Sequence, residues 1–207
     1  MAADLILFGA GGHAKVVLEA VQGARPGIAV AIVDDAGGGG RTLLGRPVFP
    51  AREWMDEHAP GAAIFPSIGD NGARARLLER LTGLARTVDT IVDRRAILSP
   101  SAGIGRGVFL APGAVVNAGA RLADAVIVNT GASVDHDCVI GSAAHIAPGA
   151  RLCGGVEIGA RTLVGAGSTL IPGVRIGADV TIGAGSVVLR DVPGGARVAG
   201  NPARPIG

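Results

Sequence analysis

Aliphatic residues recur at every sixth position through the second half of the chain. The series opens at Leu98, Ile104, Leu110 and Val116 and runs without a slip to Ile176, Ile182 and Val188. A small residue sits two positions before most of them, as at Ala102, Ala114, Cys138, Thr162 and Ser186. Gly follows directly at Gly105, Gly141, Gly159, Gly165, Gly177 and Gly183. A period of six matches neither the 3.6 of a helix nor the 2 of an alternating strand. It matches a parallel β-solenoid in which each hexad forms one short side and turns at its end. The large and small residues then point inward, Gly permits unusual φ at some corners, and successive coils hydrogen-bond about 4.8 Å apart.

The first part of the chain lacks this period. Asp4 to Phe8 reads as a buried strand, Gly9 to His13 as a turn, and His13 to Ala24 as a helix with Val16, Val17, Ala20 and Val21 on one side. A second strand runs from Ile28 to Val33 and ends at Asp34-Asp35, followed by a flexible Gly37–Gly40 loop. Arg52 to His58 reads as a short helix, Ala62 to Ile68 as a third strand, and Asn71 to Leu81 as a helix. Alternation of strand and helix predicts a small parallel α/β domain, a Rossmann-like half with about three strands. A linker near Thr90 to Ser99 divides residues 1–95 from 96–207, with Pro100 opening the solenoid and a short tail closing it.

Composition sharpens this picture. The 35 Gly and 12 Pro among 207 residues would suggest disorder, but 48% of residues are hydrophobic and the period organises them. Only four Phe and one Trp are present, with no Tyr, as a narrow prism filled by aliphatic side chains requires. Lys and Arg number 19 against 17 Asp and Glu. That balance, with so few aromatics, excludes a nucleic-acid footprint. The N-terminus has no positively charged leader pattern, and no apolar run reaches the length of about 18 residues needed to span a membrane. Cys138 and Cys153 make no disulfide framework. A cytoplasmic protein is expected.

Three places carry candidate chemistry. Gly9-Ala10-Gly11-Gly12-His13-Ala14 follows a strand, opens a helix and is followed by the acidic pair Asp34-Asp35. Gly there lets backbone approach a phosphate at a helix N-terminus. A dinucleotide site wants two such halves, so a mononucleotide or nucleotide-sugar fits better; the alternative is a ligand-free βα turn. Asp34, Asp35, Gly69 and Asn71 fall at strand ends, where an open parallel sheet forms its crevice, although Asp70 and Asn71 could simply cap the next helix. In the solenoid, His136 follows inward Val134 by two residues and points outward between Asp135 and Asp137. A neighbouring carboxylate favours the imidazolium, so this His suits a general base, and equally an idle exposed residue. His145 lies one and a half hexads further on, on another side of the prism, so the two His do not share a metal and none is expected. Cys138 occupies an inward position and reads as inert.

Taken end to end, the chain resembles the bacterial nucleotide-sugar N-acetyltransferases, a family of hexapeptide-repeat acyltransferases that also includes sialic acid O-acetyltransferases. The resemblance rests on Gly9 to Val17, Val33-Asp34-Asp35, Ile68-Gly69-Asp70-Asn71 with Arg74, Val128 to Asp137, and the tail Gly200-Asn201-Pro202-Ala203. It implies a left-handed β-helix with three hexads per coil, acetyl-CoA as co-substrate, and a homotrimer with active sites between subunits. By the same resemblance, His136 is the catalytic base and Asp137 the carboxylate that raises its basicity. Gly11, Gly12 and His13 meet the nucleotide-sugar, Asp34 and Asp35 its uracil side, and Gly69 and Asn71 lie close by. His145, Gly154, Ala166 and Ala184 contact acetyl-CoA, with the Gly154 N–H facing the developing oxyanion. Asp93-Arg94-Arg95-Ala96 departs from the family's usual His-Pro-x-Ala at the solenoid entrance.

The favoured reading is acetyl-CoA-dependent N-acetylation of a nucleotide-linked 4-amino-sugar in the synthesis of cell-surface glycans. O-acetylation of sialic acid or a related sugar is its near alternative. A non-catalytic, nucleotide-sensing trimeric scaffold is a second alternative, and an NAD-dependent oxidoreductase a weak third.

Overall fold

The computed structural model describes residues 3–206. The N-terminal part holds β1 (Leu5–Phe8), α1 (Gly12–Ala24), β2 (Val30–Asp34), β3 (Thr42–Leu43), β4 (Arg46–Pro50), α2 (Ala51–His58), β5 (Ala63–Pro66) and α3 (Asn71–Gly83). The sheet order is β3-β4-β2-β1-β5. It is parallel except for the short edge strand β3, which runs antiparallel to β4. Five strands therefore stand where about three are expected from the sequence. The two missed ones form a tight hairpin through Leu44 and Gly45, both at positive φ. Pro47 and Pro50 within β4 mask its strand character, because Pro weakens any strand assignment.

Leu5-Ile6-Leu7-Phe8 is apolar without alternation because both faces of β1 are covered. Leu5 and Leu7 pack with Ala14, Val17, Leu18 and Val21 of α1. Ile6 and Phe8 pack with Ala51, Met55, Leu77 and Leu81 of α2 and α3.

From Ile91 onward the chain is a left-handed parallel β-helix. Residues pair with partners 18 positions on, as in Val115 with Ser133 and Ser133 with Arg151, so three hexads make a coil. The repeat positions form one continuous core from Val108 to Val198. The ladder reaches back further than the series beginning at Leu98: Ile91–Val92 already pairs with Phe109–Leu110. The segment expected to be a linker thus supplies the first rung.

Glycine does two separate jobs here. From Ile104 to Ile182 the left-handed residue falls three positions after each inward aliphatic, at Gly107, Gly113, Gly119, Gly131, Gly149, Gly155, Gly167, Gly173 and Gly185. Ala125, Asp137, Ala143, Arg161 and Asp179 occupy equivalent corners with φ between 54 and 59°. The Gly that directly follows the aliphatic is a different case, and the expectation that it serves unusual φ is corrected. At Gly141 a Cβ would stand 2.6 Å from Ala160 N, and at Gly159 only 2.3 Å from Ala178 N. Those glycines are required because the next coil passes too close for a side chain.

The two parts meet along one solenoid face. Outward-facing Ile91, Phe109 and Ile127 are buried and share a core with α1. Such burial stabilises the junction by roughly 1.5–3 kcal/mol per large side chain.

Candidate active site

The carboxyl ends of β1, β2 and β5 open a crevice of about 390 Å³ lined by Gly9 to His13, Asp34, Asp35 and Ser67 to Gly69. Gly9 is at φ +113° and a Cβ there would strike Ile68, so it serves the turn itself. Gly11 and Gly12 differ: neither has positive φ, and a Cβ on either would meet nothing within 4 Å. Their missing side chains keep the crevice floor open. Gly11 is the N-cap of α1 and provides no side-chain cap, so the first-turn N–H groups face the crevice without a side-chain acceptor.

The two acidic residues divide their work. Asp34 accepts hydrogen bonds from Ala10 N at 2.9 Å and from Ala36 N at 2.9 Å, so its carboxylate ties the glycine loop to β2. Asp35 lies at the crevice rim in an exposed ion pair with Arg80, which also stacks 4.7 Å over the Phe8 ring. His13 lines the same crevice edge-on to Phe109. Its Nε2 is buried and has no hydrogen-bond partner among the described residues. Burial first, then the nearby His145 and Arg74, pull its pKa down to about 4, so the ring is neutral.

Arg74 welds the crevice to the solenoid. Its guanidinium is fully buried and donates to Ile68 O, Gly69 O and the Asn71 side chain on one side. On the other it donates to Ala125 O and Ala143 O, both at 2.8 Å. Among the described residues no carboxylate pairs with it, and burial lowers its pKa to about 10. Asn71 is committed to the same seam, since its amide also donates to Arg161 O. It lines a second cavity of about 320 Å³ with Gly69, His145, Arg161 and Thr181, while Gly69 forms the wall shared by both cavities. Asp70 caps α3 by accepting from Ala73 N at 2.7 Å. His145 approaches Asn129 Nδ2 at 3.0 Å, and burial followed by Arg74 lowers its pKa to about 4.

His136 stands on another corner, between strands Ser133–Val134 and Val139–Ile140. Its side chain is 62% exposed, and Nδ1 lies 2.9 Å from Asp137 Oδ2. The shorter Asp side chain therefore reaches the ring. Asp135 accepts from His136 N at 2.7 Å and from Asn117 Nδ2 at 2.9 Å, which fixes the base of the turn. The hydrogen bond to Asp137, then the charge of Asp135, raise the His136 pKa. With Asp137 accepting a hydrogen bond from Nδ1–H, the lone pair of the neutral ring is left on Nε2. Gly154, one coil on, faces that edge: a Cβ there would lie 2.5 Å from Nε2. Among the described residues no backbone acceptor takes the Gly154 N–H. Cys138 is buried beneath this corner, its pKa raised by burial.

The structure thus gathers the sequence-derived residues into groups. Gly11, Gly12, His13, Asp34, Asp35 and Gly69 share the sheet crevice. His136, Asp137 and Gly154 share one corner of the prism, and Ala166 and Ala184 stack on a different corner after strands Leu163–Val164 and Thr181–Ile182. His145 and Asn71 lie between, at the seam. The sequence pointed to Arg74 only through the family resemblance and gave no sign of its place at the seam, and nothing local marked Asn117, which holds Asp135.

A model of the PglD N-terminal domain matches residues 4–81, and one of the bacterial transferase hexapeptide (six repeats) matches residues 155–190. No curated protein matches the chain. Among solved structures, the acetyltransferase domain of PglB from Neisseria gonorrhoeae FA1090 in complex with acetyl coenzyme A is 37% identical over 100% of both chains, with TM-score 0.92. A histidine-to-asparagine mutant of perosamine N-acetyltransferase from Caulobacter crescentus, in complex with CoA and GDP-perosamine, is 38% identical over 100% of this chain and 98% of that one, with TM-score 0.93. WeeI from Acinetobacter baumannii AYE is 27% identical over 99% and 100%, with TM-score 0.90.

Proposed function

The chain belongs to the bacterial nucleotide-sugar N-acetyltransferase family of hexapeptide-repeat acyltransferases, and from that premise we propose that it transfers acetyl from acetyl-CoA to the amino group of a nucleotide-linked 4-amino-sugar. The observation that carries the mechanism is the exposed His136–Asp137 pair set against Gly154. Acetyl-CoA brings the activated acyl group. The sugar amine attacks the thioester carbonyl, a C–N bond forms, and His136 Nε2 takes the amine proton. Collapse of the tetrahedral species breaks the C–S bond, and the proton passes from His136 to the departing thiolate. Asp137 holds the ring through Nδ1 and stabilises the imidazolium in between. The unclaimed N–H of Gly154 is suited to the developing oxyanion.

The sheet crevice supplies the other half. Its open glycine floor and the α1 N-terminus suit the diphosphate, with neutral His13 beside it and Asp35 at the rim for the base. His136 and Gly154 occupy a different corner from Ala166 and Ala184, and this separation supports a trimer in which one subunit's base faces the CoA track of its neighbour. Residues 1–95 then act as the nucleotide-sugar domain and 96–207 as the acetyltransferase domain. No described helix is long and apolar enough to cross a membrane. A reducing, cytoplasmic setting agrees with the two free cysteines.

The test is release of CoA thiol from acetyl-CoA with UDP-, dTDP- and GDP-linked 4-amino-sugars, with free and CMP-linked sialic acid, and with no acceptor. Release with an amino-sugar is expected, reduced about 10²–10⁴-fold in kcat by His136→Ala. Near-normal turnover in that variant removes His136 as base. Release only with sialic acid moves the protein to O-acetylation, and binding of nucleotide-sugar without any turnover leaves the scaffold reading.

A further inference from the structure

The Asp137 carboxylate occupies a space that another coil leaves vacant. Asp137 is itself a left-handed corner, φ 59°, and its Oδ2 contacts His136 Nδ1. A Cβ built on Gly119, 18 residues earlier, would lie 2.7 Å from Asp137 Oδ1 and 3.7 Å from Cγ. Gly119 also has positive φ, yet that alone does not demand glycine. At the same place in the hexad the chain carries Ala125 at φ 57° and Ala143 at φ 54°. What distinguishes position 119 is the carboxylate above it.

We propose that Gly119 is a positioning residue for proton transfer: its missing side chain is the slot that seats the Asp137 carboxylate against His136. Gly154 provides the matching slot on the far side, where a Cβ would overlap the imidazole at Cε1 and Nε2. The pair is therefore held between two bare backbone positions, one on the coil before it and one on the coil after. Asn117 completes the seat by fixing Asp135, whose Oδ1 anchors the His136 backbone N–H. The charged groups that act on the ring are Asp137 and Asp135, both from its own turn. Ala118 and Gly119 below and Gly154 above add no charge. This proposal rests on His136 being the base.

Gly119→Ala tests it cleanly because the nearest atom is the tip of a rotatable side chain. The carboxylate can swing aside while the coil stays folded, which circular dichroism checks. Gly113→Ala is the control: it has φ 71°, and its Cβ would make only an ordinary 3.8 Å contact with Gly131. Asp137→Asn is the benchmark. The His136 titration is followed by NMR in each variant, and kcat and KM are measured alongside. In Gly119→Ala the His136 midpoint is expected to fall toward that of Asp137→Asn, and the acid limb of the pH–rate profile to move to lower pH with it. An accompanying loss of about tenfold in kcat, with KM within about twofold, is expected for a displaced proton-transfer partner. Gly113→Ala should change neither. A Gly119→Ala protein whose His136 titrates like the wild type overturns the proposal, whether or not kcat has dropped. So does an Asp137→Asn protein with an unmoved midpoint. Failure of the base assignment is recognised separately, by retained turnover in His136→Ala.

Discussion

Replacing Gly159 by Ala puts a methyl group where the next coil's backbone runs. The added Cβ would stand 2.3 Å from Ala178 N and 2.4 Å from Gly177 C, against an ordinary contact that begins at 3.4 Å. Relief requires the two coils to part by about 1 Å at this corner, a separation a close-packed interior resists. Two backbone hydrogen bonds span that gap, Gly159 N to Ile176 O at 2.7 Å and Asp179 N to Ala160 O at 2.9 Å. Stretching both past bonding range strands their polar groups at roughly 1–3 kcal/mol each. A total of about 2–6 kcal/mol follows, a large share of the roughly 5–15 kcal/mol by which proteins are stable. Gly155→Ala is the partner experiment. Gly155 is a left-handed corner at φ 69° with nothing within 4 Å of its Cβ position, so only the backbone penalty of about 1–2 kcal/mol applies. Urea unfolding followed by far-UV circular dichroism compares them, since the single Trp lies in the N-terminal part and reports poorly on the solenoid. Equal losses in the two variants, or a Gly159→Ala loss below about 1 kcal/mol, would refute the claim that glycine has two distinct jobs in the hexad.

Acid should loosen the seam. His13 and His145 are held neutral with pKa values of about 4 against 6.5 unfolded, so the unfolded chain binds more protons between those limits and stability falls as pH drops from about 6.5 to 4. At pH 5 the loss is about 2 kcal/mol per imidazole by proton linkage, and urea midpoints should show a shallower pH dependence in His13→Gln and His145→Gln. The two acidic residues should separate in kinetics. Asp34→Ala frees the glycine loop from β2 and is expected to raise KM for the nucleotide-sugar by about tenfold, the loss of one to two hydrogen bonds, and to lower stability. Asp35→Ala should leave stability within about 0.5 kcal/mol, because its partner Arg80 is exposed, while still weakening nucleotide binding measured by calorimetry.

The unbroken six-residue period carried the solenoid, because a repeating inward position needs only local information and is visible in one chain. The strand-turn-helix at Leu5 to Ala24 was legible for the same reason: an apolar run, a glycine turn and a helical stripe stand in succession. His136 and Asp137 were readable as neighbours, and the structure added that the shorter carboxylate reaches Nδ1. What lay beyond the sequence is everything set by contacts between distant residues. The hairpin Thr42 to Pro50 owes its strands to pairing with β2, and Ile91–Val92 joins the first coil only through Phe109–Leu110. Which glycine must lack a Cβ was decided by the proximity of the next coil, 18 residues away, and not by φ. Arg74 was marked by the resemblance alone, and only folding buries it among carbonyls of the crevice and the solenoid, where it holds Gly69 between two neutral imidazoles. Local chemistry was thus determined along the chain, whereas the contacts that Gly119, Gly154, Asn71 and Arg74 make exist only where separate coils and the crevice are brought into van der Waals contact.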